Sequence, residues 1–152
     1  VRSRGLGDVY KRQVQGLVRV MQRLYAQRGL RIDAAGISPG LVFRGEQQHL
    51  QEMLGNLLDN ACKWADSEVR VGIAPNAEGY RLWVDDDGPG IAQDQRQQVL
   101  ERGSRLDEQV AGHGLGLGIV RDIVDAWGGR LALLESPLGG LRVSIDLPRK
   151  AR

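Results

Sequence analysis

The feature that most constrains the fold is an amphipathic helix predicted over about Glu46 to Ala65. Its central stretch, residues 52–63, reads EMLGNLLDNACK. One face carries apolar side chains at the i, i+3, i+4, i+7 spacing of a buried helical stripe. These apolar positions are Leu50, Met53, Leu54, Leu57, Leu58 and Ala61. The pattern therefore predicts a helix that is buried along one side.

The other face of this helix carries Glu52, Asn56, Asn60 and Lys63, which helical spacing is expected to stack in one row. Amide oxygens are hard neutral ligands that suit Mg²⁺, and a lysine ammonium is a point charge that suits phosphate. The alternative is a plain solvent-exposed polar face. The helix alone does not decide between them.

The rest of the chain alternates between strand pairs and helices. A helical stripe begins at Val14 and stops near Gly29. Strands are predicted over residues 30–33, 41–44, 68–74, 80–84, 130–135 and 141–147, and further helices over residues 93–101 and 115–127. Because strands come in adjacent pairs with helices between the pairs, we predict an α+β, two-layer sandwich. Its sheet would be mixed and mostly antiparallel, with helices on one face, rather than doubly wound and parallel.

The two ends of the chain differ from its centre. Residues 1–13 show neither helical nor strand periodicity and are predicted to be a non-native leader or a disordered basic tail. The domain is then expected over residues 14–148, with a frayed tail over residues 149–152. The formal net charge of +2 comes largely from the first segment, so the near-neutral remainder gives no support for nucleic-acid binding.

Two other sequence-wide features exclude classes of structure. The single cysteine, Cys62, rules out an intrachain disulfide. No apolar run approaches the roughly 18 residues of a membrane span, and no signal peptide is visible, so no direct membrane contact is expected from this chain.

Two glycine-rich segments carry chemistry. The first, residues 85–91, reads DDDGPGI and follows a predicted strand. Three adjacent carboxylates are a poor phosphate site, but an acid there suits a hydrogen-bond donor such as the exocyclic amine of adenine. Gly88 and Gly90 allow a tight turn and the approach of a flat ring. The alternative is a simple turn that leaves an edge strand.

The second glycine-rich segment, residues 112–118, reads GHGLGLG and opens a helix. Its successive N–H groups and the helix N-terminus suit an anion such as phosphate. The spacing matches neither GxGxxG nor the P-loop. Upstream, Arg102 and Arg105 could neutralise charge on a γ-phosphate, although a solvated loop is the alternative.

NLLDNACK, DDGPGI and GHGLGLGIV resemble, in that order and spacing, the N, G1 and G2 boxes of sensor histidine kinases. These kinases share an ATP-binding domain type with gyrase, heat-shock-90 and MutL proteins. The likeness extends from about Val14 to Leu147 and is closest to PhoQ-type kinases. It implies a Bergerat-type ATP-binding fold that binds ATP and Mg²⁺.

The resemblance also implies a role for each candidate residue. Asn56 would coordinate Mg²⁺, Asn60 and Lys63 would contact phosphate or its neighbours, and Glu52 would polarise the attacking group. Asp86 would bind the adenine amine. The other residues implied at the base are Trp64, Gly88, Gly90 and Ile91. Those implied in the lid and around the triphosphate are Arg102, Arg105, Gly112, Gly114, Leu115 and Gly116.

Two departures from the family pattern bear on function. His113 stands where PhoQ-type domains carry a glutamine that helps to hold the metal, and only a neutral imidazole could replace it. The phosphorylated histidine of the family lies on a dimerisation hairpin, but the two histidines here, His49 and His113, both lie in the ATP-binding part. The acceptor histidine is therefore expected outside this chain.

The sequence thus predicts the catalytic ATP-binding domain of a sensor histidine kinase. It would transfer the γ-phosphoryl group to the hairpin histidine, with a response regulator as downstream partner. The domain would be cytoplasmic, in a parent protein of the bacterial inner membrane. Two alternatives stay open: an ATPase of the same fold in which Glu52 activates water, and a nucleotide-binding regulatory module without transfer activity.

Overall fold

The structure is a computed structural model that describes residues 2–37, 47–101 and 117–148. Within these ranges the helices are α1 (Arg2–Leu24), α2 (Gln47–Trp64), α3 (Gln93–Glu101) and α4 (Leu117–Ala126), with a short 3-10 helix at Ala26–Arg28. The strands are β1 (Arg31–Ile37), β2 (Glu68–Pro75), β3 (Gly79–Asp86), β4 (Arg130–Glu135) and β5 (Leu141–Pro148).

The five described strands form one sheet in the order β1-β2-β3-β5-β4. The β1–β2 pair is parallel and is connected through α2, whereas the other three pairs are antiparallel. The predicted mixed, mostly antiparallel sheet is confirmed.

Helix α2 lies at the centre of the second layer, where it contacts α1, α4, β2 and β3. The apolar stripe read from the sequence is its buried side, and Met53 and Leu58 have no exposed surface. Alternate residues of the central strands, among them Val69, Val84 and Ile145, complete the core beneath it. A β-strand presents alternate side chains to one face, so the helices cover a continuous apolar surface of the sheet.

The other face of the sheet carries polar pairs and an aromatic side chain. Trp83 lies across Gly72 of the neighbouring strand, where an added Cβ would come within 2.2 Å of the indole. Salt bridges lie along the same face at Arg142–Asp85 and Arg81–Asp146. The predicted two-layer arrangement, with helices on one face, is confirmed for the described residues.

Helix α1 begins earlier than the periodicity predicted, whereas the assignment of residues 1–13 to a leader or tail outside the domain stays a prediction. Residues 2–13 are helical, and the helix does not begin at Val14 as the periodicity predicted. Val14, Val18 and Met21 are buried. Once a helix is nucleated by such packing, it extends at low cost into neighbouring residues that lack a pattern of their own. The domain boundary at residue 14 itself stays a prediction.

Smaller differences concern the ends of elements. Strand β1 extends to Ile37, beyond the predicted end at residue 33, and the strand predicted over residues 41–44 lies outside the described residues. Helix α4 is described from Leu117, so the predicted start at residue 115 is not tested. None of the described helices combines the length and hydrophobicity needed to cross a membrane.

Candidate functional site

A cleft of about 360 Å³ opens between the C-terminal half of α2, the loop after β3, α3 and the start of β5. Its volume lies within the range of small-molecule sites, which is roughly 300–1,000 Å³. The polar side chains that line it are Asn60, Asp86 and Gln95. The other lining residues are Leu57, Ala61, Trp64, Val84, Pro89, Gly90, Ile91, Val99, Leu141 and Val143. The cleft is therefore mainly apolar, with a few polar groups.

Helix α2 supplies one wall. Asn60 is buried, with 9% of its surface exposed, and Trp64 one turn later is 42% exposed and also lines the cleft. A four-residue step advances about 40° around a helix, whereas a three-residue step turns back by about 60°. Trp64 follows Asn60 by a four-residue step, whereas Lys63 lies about 20° from Glu52 around the helix and keeps its predicted place in the row. Lys63 is exposed and is not among the residues lining the cleft.

The N-terminal part of the same row lies outside the cleft lining. The Asn56 side chain is half-buried, and its Nδ2 donates a hydrogen bond of 2.9 Å to the backbone oxygen of Glu52. The Glu52 side chain is exposed. Asn56 lies about 6 Å from Asn60 along the helix axis, since each residue rises about 1.5 Å. The row therefore leads from solvent at Glu52 into the cleft at Asn60.

Three consecutive aspartates end β3, and each has a different environment. Asp85 points to the helix-free face of the sheet and accepts two hydrogen bonds from Arg142, at 2.7 Å from Nε and 2.8 Å from Nη2. The two residues are opposite each other in the β3–β5 register. This bidentate pair neutralises Asp85 and ties β3 to β5.

Asp87 binds the connection between α2 and β2. Its carboxylate accepts hydrogen bonds from the backbone N–H groups of Asp66, Ser67 and Glu68 and from the Ser67 hydroxyl. Partial burial alone would raise the pKa of Asp87, but these hydrogen bonds outweigh it and lower the pKa to about 2. Asp87 is thus a structural carboxylate that stays ionised.

Asp86 lies between these two residues, and its side chain enters the cleft. Its Oδ1 accepts hydrogen bonds from the backbone N–H groups of Gly88, at 2.9 Å, and Leu141, at 3.3 Å. No described residue donates to Oδ2. Burial raises the pKa of Asp86, and the two backbone hydrogen bonds oppose that rise. The carboxylate is therefore fixed by one oxygen and keeps the other as an acceptor.

Glycines let the backbone close around Asp86. A Cβ at Gly140 would come within 2.4 Å of Asp86 Oδ1 and 2.7 Å of the Gly88 nitrogen, and a Cβ at Gly88 would come within 2.3 Å of the Trp64 oxygen. Gly90 has a φ of +70°, a conformation that L side chains rarely adopt. Larger residues at these positions would displace the carboxylate or the wall that faces it.

The structure thus brings several sequence-predicted residues together at one cleft. These are Asn60, Trp64, Asp86, Gly90 and Ile91, with Gly88 packed behind them. Glu52, Asn56 and Lys63 are described but do not line it. The remaining candidates lie outside the described residues: Arg102, Arg105, Gly112, His113, Gly114, Leu115 and Gly116.

Sequence reasoning missed the contribution of the last hairpin. Gly140 and Leu141 contact Asp86 from a turn that the sequence marked only as the link between two strands. Val143 and Leu141 also line the cleft, but their alternation with polar residues signals a strand and not a ligand site. Only the pairing of β3 with β5 brings this turn beside Asp86.

Residues 45–151 match the family described as histidine kinase-, DNA gyrase B-, and HSP90-like ATPase. The chain is similar to the sensor protein kinase CarS of Pseudomonas aeruginosa, with 70% identity over 110 residues, covering 72% of this chain and 25% of CarS. It is also similar to the virulence sensor histidine kinase PhoQ of Salmonella typhimurium, with 33% identity over 154 residues, covering 97% of this chain and 31% of PhoQ. The chain therefore spans about a quarter to a third of these curated relatives.

Among solved structures, the mycobacterial sensor histidine kinase MprB superposes with a TM-score of 0.75 at 27% identity. The likeness covers 93% of this chain and 96% of that one, and it confirms the expected Bergerat-type fold. The family match takes in well over half of the sequence. The chain therefore belongs to the histidine kinase-, DNA gyrase B-, and HSP90-like ATPase family.

Proposed function

We propose that this chain is the Mg-ATP-binding catalytic domain of a two-component sensor histidine kinase. It transfers the γ-phosphoryl group of ATP to a histidine on a dimerisation hairpin outside this chain. The observation that carries the proposal is the Asp86 carboxylate, which has one oxygen held by two backbone N–H groups and the other left as an acceptor in an apolar cleft.

The cleft suits the adenine base. The exocyclic amine of adenine is a donor, and Asp86 Oδ2 is an acceptor without a donor among the described residues. The apolar lining, which includes Ile91, Leu141 and Trp64, suits a flat aromatic ring. A carboxylate that is fixed before binding loses little freedom when the ligand arrives, which favours affinity.

The phosphates would lie toward the N-terminal part of α2. Because the Asn56 amide donates its N–H to Glu52, its Oδ1 remains as a hard ligand for a cation. Within the described ranges, no group of three His, Cys, Asp or Glu residues could hold a metal. Mg²⁺ is commonly bound through one or two protein oxygens together with substrate phosphates and water, so a single amide fits this ion.

When bound, Mg²⁺ would offset the negative charge of the phosphates. Asn56 would orient the ion, and Asn60 would contact the phosphates or their neighbours. His113 is a second proposed ligand, and Arg102 and Arg105 are proposed to reach the γ-phosphate. Gly112, Gly114, Leu115 and Gly116 are proposed to bind the triphosphate through the backbone. These assignments derive from the family resemblance, with only Asn56 and Asn60 among the described residues.

Phosphoryl transfer requires little covalent chemistry from the protein. A new bond forms between the γ-phosphorus and a ring nitrogen of the acceptor histidine as the bond to the β-phosphate oxygen breaks and ADP leaves. Catalysis then consists of positioning and charge stabilisation. Glu52 is proposed to polarise the attacking imidazole, and its exposed position on α2 is open to a partner segment.

The relatives named sensor kinases extend the proposal to the parent protein. The parent would be a sensor of the bacterial inner membrane with this domain in the cytoplasm. A response regulator would receive the phosphoryl group from the hairpin histidine.

Isothermal titration with ATP, with and without Mg²⁺, tests the nucleotide and metal roles. We expect the chain to bind ATP more tightly with Mg²⁺, and Asn56→Ala to lose that difference. Gln51→Ala, which removes an exposed amide from the same helix, is the matched control and should titrate as wild type. A wild-type chain that does not bind ATP would refute the proposal. An Asn56→Ala variant with full Mg²⁺ dependence would refute the metal role.

Transfer is tested by mixing the chain with γ-labelled ATP and a separate sensor-kinase hairpin that carries its acceptor histidine. Labelled phosphohistidine is the expected product. ATP binding without any labelled histidine would instead identify a regulatory module. Steady phosphate release that Glu52→Gln abolishes would identify a water-activating ATPase.

A further inference from the structure

The last residues of α2 and the connection to β2, residues 62–68, are held from two sides by oppositely charged side chains. On one side, the Arg28 guanidinium donates to three backbone oxygens. Nη1 lies 2.5 Å from the oxygen of Cys62 and 3.1 Å from that of Lys63, and Nη2 bonds to the oxygen of Ala65. Arg28 belongs to the 3-10 helix between α1 and β1, more than 30 residues upstream.

These hydrogen bonds stabilise the end of α2 for a clear reason. The last four carbonyl groups of an α-helix have no partner within the helix, and a cation there also complements the helix dipole. A guanidinium presents several N–H donors in a rigid plane and can reach separate carbonyls at once, whereas a lysine ammonium is a single point. Arg28 therefore caps the end of α2 and sets the direction in which the chain leaves it.

Asp87 acts on the opposite side of the connection through the N–H groups of residues 66–68. The Asp87 backbone N–H also donates to the Glu68 oxygen, at 3.2 Å. The carbonyl groups at the end of α2 are thus bound by a cation, and the N–H groups of residues 66–68 are bound by an anion. Both contacts meet at the adenine end of the proposed ATP site.

Residues 62–65 affect the cleft in two ways, both through Trp64. The Trp64 side chain lines the cleft, and the Trp64 backbone oxygen packs against Gly88, whose added Cβ would meet it at 2.3 Å. Gly88 in turn donates to Asp86 Oδ1. A change in the path of residues 62–65 would therefore shift both the Trp64 wall and the loop that fixes Asp86.

The 3-10 helix itself is attached to α2. The Tyr25 hydroxyl donates to Asp59 Oδ1 at 2.7 Å. Burial and the hydrogen bond to Asp59 together raise the pKa of Tyr25 to about 12, so the hydroxyl remains a donor at neutral pH. Tyr25 and Arg28 together bind the end of α1 to the last two turns of α2.

We propose that Arg28 is a positioning residue for the nucleotide base. It is not among the residues that line the cleft, and it acts through the carbonyls of residues 62, 63 and 65 to hold Trp64 and Gly88 in their positions beside Asp86. The inference rests on the proposed function, because the base is taken to be adenine. It assigns a role in the site to a residue that belongs to none of the three sequence boxes.

The test compares Arg28→Ala and Arg28→Lys with Arg81→Ala. The control removes an arginine that pairs with Asp146 on the helix-free face of the sheet. Binding of ATP and of adenosine is measured by titration at a temperature where every variant is folded, and unfolding is followed by circular dichroism. Ligand-free proteins are compared by the NMR signals of the Trp64 indole N–H and the Gly88 amide.

We expect Arg28→Ala to lower the affinities for ATP and for adenosine by the same factor, on the order of tenfold. The factor is the same because the lost contacts are to the base, which both ligands share, and not to the phosphates. Arg28→Lys should recover only part of this loss, and Arg81→Ala should bind as wild type. The signals of Trp64 and Gly88 should move in both Arg28 variants. If Arg28→Ala does not fold, the lysine variant carries the comparison.

Two other results would overturn the inference. One is unchanged affinity for both ligands in the Arg28 variants with lowered thermal stability, which would make Arg28 a structural cap only. The other is unmoved Trp64 and Gly88 signals. If wild type binds no ATP, the proposed function fails, and the signals of the free proteins still decide whether Arg28 positions this end of the cleft.

Discussion

Asp85 and Asp86 are neighbours in sequence and both are buried, yet they lie on opposite faces of the sheet. On the helix-free face, Asp85 is neutralised by Arg142 through two hydrogen bonds. On the helix-covered face, Asp86 accepts hydrogen bonds from two backbone N–H groups among the described residues, both on one oxygen. The same type of side chain thus links two strands at Asp85 and offers a free acceptor oxygen to a ligand at Asp86.

The difference follows from what each face can offer. Arg142 and Arg81 lie on the helix-free face, where long cationic side chains keep contact with solvent. The helix-covered face is the apolar core, and a cation there would be costly to bury. An acid that must stay on the core face is therefore held by backbone donors, which position the carboxylate without neutralising its charge.

The largest expected effect is on stability and concerns Asp85, the aspartate that pairs with Arg142. Asp85→Asn leaves the partly buried Arg142 without its counter-charge, so we expect the free energy of unfolding to fall by about 2–3 kcal/mol. ATP affinity of the folded variant should not change. Urea denaturation and titration measure the two quantities. Asp146→Asn, which breaks an exposed pair, is the control and should lower the free energy of unfolding much less. Equal losses in both variants would contradict the distinction between the faces.

The converse effect is expected at Asp86. Asp86→Asn keeps an acceptor for the Gly88 and Leu141 N–H groups, but it replaces a charged acceptor by an amide. ATP affinity should fall by about 10- to 100-fold, the value of a charge-assisted hydrogen bond. Stability should stay near that of wild type, since the variant no longer buries a charge. Wild-type affinity in this variant would show that the open oxygen does not recognise the ligand.

Gly140→Ala tests whether the last hairpin fixes Asp86. The new Cβ would overlap Asp86 Oδ1 and the Gly88 nitrogen, so we expect a loss of about 1–2 kcal/mol in stability together with weaker ATP binding. Gly55→Ala is the matched control. Among the described residues its Cβ would meet Leu17 alone, at 4.0 Å, and the substitution should be neutral or stabilising because alanine favours a helix. Unchanged ATP binding in Gly140→Ala would show that the last hairpin does not position Asp86 for the ligand.

A smaller, pH-dependent effect is expected at Asp87. Its pKa in the folded protein is about 2, below the unfolded value of about 3.9, so the folded state binds fewer protons between these values. The stabilisation is therefore complete above about pH 4 and is lost as the pH falls toward 2. Because solvent partly screens the group, its size is on the order of 1 kcal/mol.

Urea denaturation of wild type and Asp87→Asn at several pH values measures this contribution. The difference in unfolding free energy should be constant above about pH 4 and should shrink in more acidic solution. A difference that is independent of pH would show that the Asp87 charge does not stabilise the connection at residues 66–68.

Local patterns predicted much of the fold and part of the site. The spacing of Leu54 and Leu58 identified the buried side of α2, and alternation in the two hairpins located four of the five described strands almost to the residue. The DDDGPGI segment indicated that one acid would face a ligand. Periodicity failed at residues 2–13, where the helix continues without a pattern.

Sequence by itself determined which segments become helices and strands, because hydrophobic spacing and glycine placement act over a few neighbouring residues. It also determined the polar row of α2 and the run of acids after β3. The tertiary structure decided the partners of those groups: Arg142 for Asp85, Leu141 and Gly140 beside Asp86, and Arg28 at the end of α2. These partners lie more than 30 residues away in the chain, so only the pairing of β3 with β5 and the packing of α1 on α2 bring them into contact.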